Sequence, residues 1–351
     1  MGFDYFTTIQ LASELNRILF GAVISGASFR DKDLKLKIDQ RGLICFQCKP
    51  NGLVLYNPND TKSLTSPSKE DPVRYFIGAR FIDIVMSGRD RAISFSLERF
   101  NQKRNETTRG VLVCEMMNRR IDCALISQKS QLVLGGWGKE ERIVVGNSYI
   151  PPAKDPRIVI GFDSVNPKDV LGNLPEENYL KLIRSTFSGI DSSVIREVLY
   201  RCNLKEDDVA NPRGVKIFWE KAIEIFKSIG SLGGYIYEDA GKLQFTAICP
   251  YRLASSIKVD QRDSLTDSLV EYYDRDKILR KYESKKKEIN QTIKRALNSL
   301  IRKRITLRNE LMETECAQAI ERKGHTLLAH LGHVSNNVKS VSLVDVFEDN
   351  S

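Results

Sequence analysis

The feature that most constrains this chain is a long stretch without helix-breaking residues, since residues 251–323 contain neither Pro nor Gly. From about residue 265, apolar side chains recur at three- and four-residue spacing, which predicts a continuous helix with one narrow apolar seam. The seam consists of Leu279, Tyr282, Ile289, Ile293, Ala296, Leu300, Leu307 and Leu311, with Lys286 and Lys303 in its two gaps. A narrow seam needs a partner helix. We expect an antiparallel coiled-coil hairpin or, because no returning helix is evident before Ser351, a second copy of the chain.

The net charge of the chain lies in this same helix. The chain has 54 Lys and Arg and 45 Asp and Glu. Residues 275–311 contain 13 of the basic residues and four of the acidic ones, so the formal charge of +9 belongs to this segment and the rest of the chain is neutral. A neutral body with a basic helix indicates a polyanionic partner, nucleic acid before membrane. The side chains predicted to contact a nucleic-acid backbone there are Lys285, Lys286, Lys287, Arg302, Lys303 and Arg304.

Residues 1–172 are predicted to form an antiparallel β-sandwich-like domain behind an opening helix. Tyr5, Ile9, Ala12, Leu15 and Leu19 share one helix face, and Gly21 is placed to end that helix. Short alternating runs then predict strands at Leu34–Ile38, Ile93–Leu97 and Val111–Glu115. Residues 57–72 read as a loop, and Pro151-Pro152 closes the domain because consecutive prolines cannot continue a ladder.

Residues 173–262 are predicted to form a helix-hairpin-helix domain with a β-hairpin, which makes the fold class α+β. Pro175-Glu176-Glu177 is a helix start, and further helices follow through Val194–Leu199 and Phe218–Phe226. Gly189 lies between the first two helices, where exposed backbone N–H groups can bind phosphate, although an ordinary helix corner has the same local pattern. The runs Tyr235–Tyr237 and Leu243–Phe245 predict the hairpin. The third domain, residues 263–351, is the long helix.

Composition and processing signals indicate an intracellular soluble protein. With 41% apolar and 28% charged residues, the chain is neither collagenous nor wholly disordered. No stretch approaches the ~18 apolar residues of a membrane span, and residues 1–6 lack the basic and apolar regions of a signal peptide. Seven cysteines without framework spacing indicate a reducing compartment. We therefore expect a cytoplasmic location and no membrane partner.

Motifs for catalysis or cofactors are missing from the sequence. There is no phosphate-binding loop, dinucleotide fingerprint, nucleophile elbow or metalloprotease motif. The three histidines, His325, His330 and His333, lie within nine residues without a completing carboxylate or Cys at matching spacing. Cys45 and Cys48 would point to opposite faces of a strand, which favours core positions over metal ligation. We expect no metal, no cofactor and no enzyme activity.

An ordered set of short motifs along the chain resembles the NFACT family, which includes the fibronectin-binding protein A-like proteins. The motifs are Phe3-Asp4, Leu11–Asn16, Asn57-Pro58, Thr65-Ser66-Pro67, Arg74–Phe81, Gly88–Arg91, Glu115-Met116-Met117, Tyr149–Pro152, Gly189–Ser193 with Arg196-Glu197, and Gly324–Ala329. The resemblance covers essentially the whole chain in family order. It implies a factor of ribosome-associated quality control that binds the large ribosomal subunit and tRNA and supports C-terminal alanine tailing of stalled nascent chains.

The same resemblance implies which residues bind tRNA. It carries the family's Asp-Arg motif onto Asp90 and Arg91, and the motifs Phe3-Asp4 and Glu115-Met116-Met117 add Asp4 and Glu115. Arg binds phosphate in a bidentate way, and Asp accepts from a 2′-hydroxyl or orients the Arg.

The chain also departs from the family pattern. Residues after Glu115-Met116-Met117 read Asn118-Arg119-Arg120, and the family's second coiled-coil arm and C-terminal RNA-binding domain are absent. Two alternatives stay open. One is a glycosylase-like DNA-binding protein, although Gly2-Phe3 supplies neither the N-terminal proline amine nor the glutamate of that chemistry. The other is a fibronectin-binding adhesin.

Overall fold

This computed structural model describes most of the chain in two compact units, Met1–Lys277 and Ile278–Ser351. The described residues are 3–49, 52–60, 64, 67, 71–86, 91–101, 105–117, 120–138, 141–152, 157–159, 177–229, 233–239, 241–254, 257–334 and 338–347. Helices and antiparallel sheets are mixed, which confirms the α+β class. The predicted domain boundaries at 172 and 262 stay predictions.

The opening helix α1 (Tyr5–Leu19) forms as predicted. The carboxylate of Asp4 caps its first turn by accepting from Thr7 N at 2.7 Å. The helix ends before Gly21, whose φ of +74° suits glycine. Leu11, Leu15 and Leu19 are fully buried, so the predicted apolar face packs into the core.

The first sheet is a four-stranded antiparallel meander of β1 (Ile24–Arg30), β2 (Asp33–Ile38), β3 (Gly42–Gln47) and β4 (Val54–Asn57). β1 and β2 are joined by the two-residue turn Asp31-Lys32, and both residues have positive φ. This turn matches the twist of the flanking strands.

The second sheet has five antiparallel strands, β5 (Arg80–Met86), β6 (Ala92–Asn101), β7 (Glu106–Met117), β8 (Arg120–Ser127) and β9 (Val133–Trp137). A 3-10 helix, Pro72–Phe76, precedes it. The β6–β7 hairpin is paired from Ala92 opposite Glu115 to Asn101 opposite Glu106. All three predicted strands lie inside observed ones.

The two sheets share one apolar core, as a sandwich-like domain requires. Phe46 of the first sheet meets Phe95 of the second with ring centroids 5.2 Å apart. Cys48 and Cys123 bring their Sγ atoms to 3.8 Å across the same interior. Cys45 and Cys48 are both buried in this core, which confirms the core interpretation of the Cys-x-x-Cys pair.

In the middle of the chain, the described residues include three helices of two turns or more and a small sheet. The helices are α2 (Tyr179–Thr186), α3 (Ser192–Arg201) and α4 (Pro212–Ser228), and their buried faces form a second core. The described helix α2 begins at Tyr179, where the side chain of Asn178 caps it by accepting from Lys181 N, two residues after the predicted start at Pro175-Glu176-Glu177. Pro175 and Glu176 themselves lie outside the described residues. The short strands β10 (Ile158–Val159) and β11 (Phe187–Ser188) form a parallel pair.

The predicted hairpin is confirmed as β12 (Gly234–Asp239) and β13 (Lys242–Thr246). A short helix α5 (Tyr251–Ala254) follows, and then an unpredicted strand, β14 (Val259–Arg262), which pairs with the other side of β12. Val259-Asp260-Gln261-Arg262 is short and polar, so it offers little of the alternation that marks a strand.

The long helix α6 (Leu265–Ala329) has 65 residues, or about 98 Å at 1.5 Å per residue. Its first turn is capped from a distant part of the chain, since the buried carboxylate of Glu14 accepts from Leu265 N at 2.8 Å and Thr266 N at 3.0 Å. Arg262 and Arg275 bind Glu271, and Arg275 also binds Asp260 at 2.7 Å, which ties the first turns to β14.

In the second unit the helix is exposed from Ile278 to His325, and it passes through Gly324 to Ala329. The seam residues from Leu279 to Leu311 have no partner helix among the described residues, so the predicted coiled-coil pairing is not observed. Near its end, Thr326 donates to Asp345 at 3.2 Å, and His325 lies against the ring of Phe347. Over the part of the chain that is described, no helix is long and apolar enough to cross a membrane.

Candidate nucleic-acid interface

The Asp4 carboxyl lies at the start of α1, buried to 3% exposure. The pKa of Asp4 is raised from 3.8 to about 7, first by burial and then by the nearby Asp191 carboxylate, while hydrogen bonds from Thr7 and the charge of Arg91 oppose the rise. Because Asp4 is enclosed, it can orient Arg91 but does not itself present a surface to a ligand. The predicted contact of Asp4 with tRNA stays a prediction.

Arg91 immediately precedes β6 and is half-buried beside the start of α1. Its carbonyl accepts from Met116 N at 2.7 Å, which fixes the backbone against β7. Its guanidinium Nη1 donates to Phe3 O at 3.4 Å. The fold thus brings Arg91 to Asp4, as the predicted site requires. Asp90, the other half of the predicted pair, lies outside the described residues.

Asp191 and Tyr237 complete what we call the junction cluster, defined as Asp4, Arg91, Asp191 and Tyr237. Asp191 caps α3 by accepting from Ser193 N and Val194 N, both at 3.0 Å. Burial raises the pKa of the Tyr237 phenol, and the carboxylates of Asp191 and Asp4 contribute to the rise. The cluster therefore brings together groups at the starts of α1, β6 and α3 with one from β12.

Glu115 lies close by along the sheet, because its strand partner is Ala92, the neighbour of Arg91. The side chain is 1% exposed, and both Arg142 and Tyr149 donate hydrogen bonds to its carboxylate. Burial and the Glu115 charge raise the pKa of the Tyr149 phenol. In this geometry Glu115 anchors the segment around residues 142–149 to the sheet, and its predicted contact with tRNA stays a prediction.

Gly189 has a packing role. Its φ is +77°, its carbonyl accepts from Tyr5 N at 2.8 Å, and an added Cβ would lie 3.0 Å from the Cβ of Tyr5. The N–H groups that begin α3 are already bonded to the Asp191 carboxylate. A phosphate would have to displace that negative charge, so this turn does not favour the predicted phosphate contact at Gly189.

The basic helix offers a different surface. The six predicted side chains, Lys285, Lys286, Lys287, Arg302, Lys303 and Arg304, are all exposed. None of them forms an ion pair with a carboxylate among the described residues. Unpaired cations on a rod of this length are free to bind phosphates.

Comparison with known proteins identifies the family. A family model described as NFACT N-terminal and middle domains matches residues 4–351. The chain belongs to the NFACT family. Among solved structures, this NFACT chain is similar to the fibrinogen binding protein from Staphylococcus aureus, at 18% identity and a TM-score of 0.60, over 78% of this chain and 100% of that one.

A second solved structure similar to this NFACT chain is the N-terminal part of the fibronectin/fibrinogen-binding protein from Streptococcus suis. The identity is 16% and the TM-score 0.58, over 78% of this chain and 99% of that one. At such identities the likeness shows a shared fold. No curated protein matches this NFACT chain.

Sequence reasoning missed two members of the junction cluster in this NFACT chain. Asp191 carried a usable signal, because Asp followed by Ser-Ser-Val is typical of a helix N-cap. Tyr237 carried none beyond its place in a strand. Among the described residues no group of three or more His, Cys, Asp and Glu could hold a metal ion.

Proposed function

We propose that this protein binds the large ribosomal subunit and tRNA in ribosome-associated quality control, and supports C-terminal alanine tailing of stalled nascent chains. Membership of the NFACT family supports a ribosome-associated role at the level of the family. We further propose that the protein works in the cytoplasm, without a cofactor or a catalytic centre of its own.

The observation that carries the proposal is the exposed basic helix. Within residues 275–311 the 13 basic residues outnumber the acidic ones by nine. Those predicted to contact RNA are exposed and unpaired within the described part of the chain. Solubility alone does not require charge of a single sign, whereas binding to ribose-phosphate does.

The junction cluster supports the tRNA half of the proposal. A half-buried guanidinium that donates to Phe3 O, with the buried Asp4 carboxyl nearby, has a restricted orientation. Arg in such a setting binds phosphate with defined geometry, and carboxylates nearby discourage additional phosphates. One tRNA backbone position is therefore the expected ligand.

The test measures binding to the large ribosomal subunit and binding to tRNA separately. Purified full chain is incubated with large subunits carrying peptidyl-tRNA, and with free tRNA, and the bound fractions are measured by pelleting and by filter binding. We expect Arg91→Ala to weaken tRNA binding about tenfold while subunit binding persists. Replacing Lys287, Lys294 and Arg302 with Glu should weaken subunit binding most.

A matched control carries the same charge change elsewhere: Lys129→Glu, Lys205→Glu and Lys227→Glu, all exposed outside the basic helix. If the control and the helix variant lose subunit binding equally, the helix is not the contact. If wild-type chain does not bind large subunits at all, the proposed function is wrong.

The adhesin alternative rests on the names of the two similar structures, and their likeness here is one of fold. No contact within the described residues favours fibronectin over RNA. The glycosylase-like alternative has no supporting contact either, and Gly2 lies outside the described residues.

A further inference from the structure

The β6–β7 hairpin extends past the sandwich core at the end of β6 opposite to Arg91. Leu97 is the last residue of β6 that belongs to the core. Arg99 and Asn101 follow at two-residue spacing, so they continue the same face of the strand beyond the packed region. Arg99 lies eight residues from Arg91, about 26 Å along the strand, so this surface is separate from the junction cluster.

Two adjoining cavities lie under this extension, with volumes of about 300 and 770 Å³. Both are lined by Arg99 and Asn101, the smaller also by Tyr75 and the larger by Arg80 and Phe100. The volumes fall in the range of small-ligand sites. The wall opposite the hairpin comes from the 3-10 helix and the turn after it, where Gly78 lies close to the Arg99 guanidinium.

The three arginines that line these cavities differ in whether a carboxylate already binds them. Arg109 is bound to Glu98 at 2.8 Å, so this pair is largely neutral. Arg80 and Arg99 are exposed, and neither forms an ion pair with a carboxylate in the described part of the chain. Arg99 lines both cavities and Arg80 lines the larger one, so two available guanidinium groups face the larger cavity.

Exposed aromatic rings stand beside these cations. Tyr75 is 53% exposed and Phe100 is 56% exposed. Exposed rings interleaved with arginines form stacking platforms for unpaired bases, and the Asn101 amide offers both a donor and an acceptor to a base edge. An acidic peptide would use the arginines but would have no need of the rings.

We propose that these adjoining cavities bind an unpaired nucleotide of single-stranded RNA, with the base on Tyr75 of the smaller cavity or Phe100 of the larger one, and the phosphate at Arg80 and at Arg99, which lines both. The site goes beyond the proposed tRNA contact at the junction cluster. The proposed site also gives a binding role to the Arg74–Phe81 motif, which supplies one wall of the cavities and is not part of the junction cluster.

The test uses the full chain and a short single-stranded probe, a 4-thiouridine-containing tetranucleotide labelled with fluorescein. Affinity is measured by fluorescence anisotropy, and photo-crosslinked peptides are identified by mass spectrometry. We expect crosslinks at Tyr75 or Phe100, and about tenfold weaker binding for the double variant Tyr75→Ala, Arg99→Ala. Arg99→Lys should retain part of the affinity, because it keeps the charge and loses the planar fork.

The matched control is Arg213→Ala, an exposed arginine on α4 that should leave the affinity unchanged. Near-ultraviolet circular dichroism checks that each variant keeps its folded core. Unchanged binding by the double variant overturns the proposal, as does crosslinking confined to the helix beyond Lys277. Binding of an acidic peptide with no measurable binding of the tetranucleotide also overturns it.

Discussion

The basic helix has two faces that should differ in their contribution to RNA binding. At 100° per residue, the eight seam residues fall within an arc of about 100°. Four cations, which we call the outer set, fall within an arc of similar width on the opposite side: Lys287, Lys294, Arg295 and Arg302. Four others, the seam set, border the apolar seam: Lys285, Lys286, Lys303 and Arg304.

We predict that the outer set carries the phosphate contacts. The seam residues Leu279, Tyr282 and Leu300 are 44–65% exposed. Exposure of this apolar surface to water is unfavourable, and a covering helix would bury it. Whatever covers the seam also shields the cations that border it. The outer set remains accessible in either case.

The magnitude follows from counterion release. Each lost phosphate contact lowers the slope of log K against log salt by about 0.7–0.9, so replacing the outer set with Gln should lower it by about 3. Gln keeps the helix, because its helix propensity is close to that of Lys and Arg. Replacing the seam set with Gln makes the same change in net charge, and we expect a change in slope of less than about 1.

The assay is binding of full chain to large ribosomal subunits across a series of salt concentrations, with helix content checked by circular dichroism. Equal slopes for the two variants would refute the assignment of faces. A larger effect in the seam set would show that the seam side lies on the RNA. A wild-type affinity independent of salt would refute the polyanion argument altogether.

Three further predictions concern the first unit. Because burial raises the pKa of Asp4 from 3.8 to about 7, the folded protein keeps a proton that the unfolded chain releases. The free energy of unfolding should therefore fall by up to about 4 kcal/mol as pH rises between these values. The variant Asp4→Asn keeps the helix cap, and urea unfolding at several pH values should show that this fall is gone. Glu115→Gln should lower the free energy of unfolding by about 2–3 kcal/mol, because a largely buried arginine loses its carboxylate, whereas Tyr149→Phe should cost about 1 kcal/mol. Gly189→Ala should cost at least about 1 kcal/mol more than Gly241→Ala in thermal unfolding: both have positive φ, but only Gly189 has a side chain in the way.

Each of these three has a result that would contradict it. An equal loss of stability with pH in Asp4→Asn would mean that another group titrates. Equal costs for Glu115→Gln and Tyr149→Phe would mean that the carboxylate charge contributes little. Equal losses of stability for the two glycine variants would mean that the Tyr5 side chain moves aside at no cost in free energy.

The second copy expected on the seam is a less favourable partner than the sequence pattern suggests. The seam set borders the seam with positive charge on both sides, so two copies would bring like charges together. We expect sedimentation velocity to find a monomer at low salt. Self-association that weakens when the seam set is neutralised would contradict this reasoning.

The elements with strong local periodicity were predictable. α1 and α6 follow from apolar spacing, and strands such as β2 follow from strict alternation in Leu34–Ile38, because each pattern places apolar side chains on one face of one local geometry. Charge counting alone located the basic helix. The start of α2 and the strand β14 were not predicted, since the first depends on which side chain caps the helix and the second is stabilised by pairing with β12 rather than by its own residues.

The sequence by itself determined the local elements, the excess of positive charge and, through ordered motifs, the family. The tertiary structure decided which residues meet. Arg91 reaches the start of α1, Glu14 caps a helix that begins 251 residues later, and Arg99 shares a cavity with Tyr75 because two sheets and a 3-10 helix pack around one core. Hydrogen bonds and charges act over a few ångströms of space, whereas sequence patterns report only neighbours along the chain, so sites assembled from distant segments become visible only once the chain is folded.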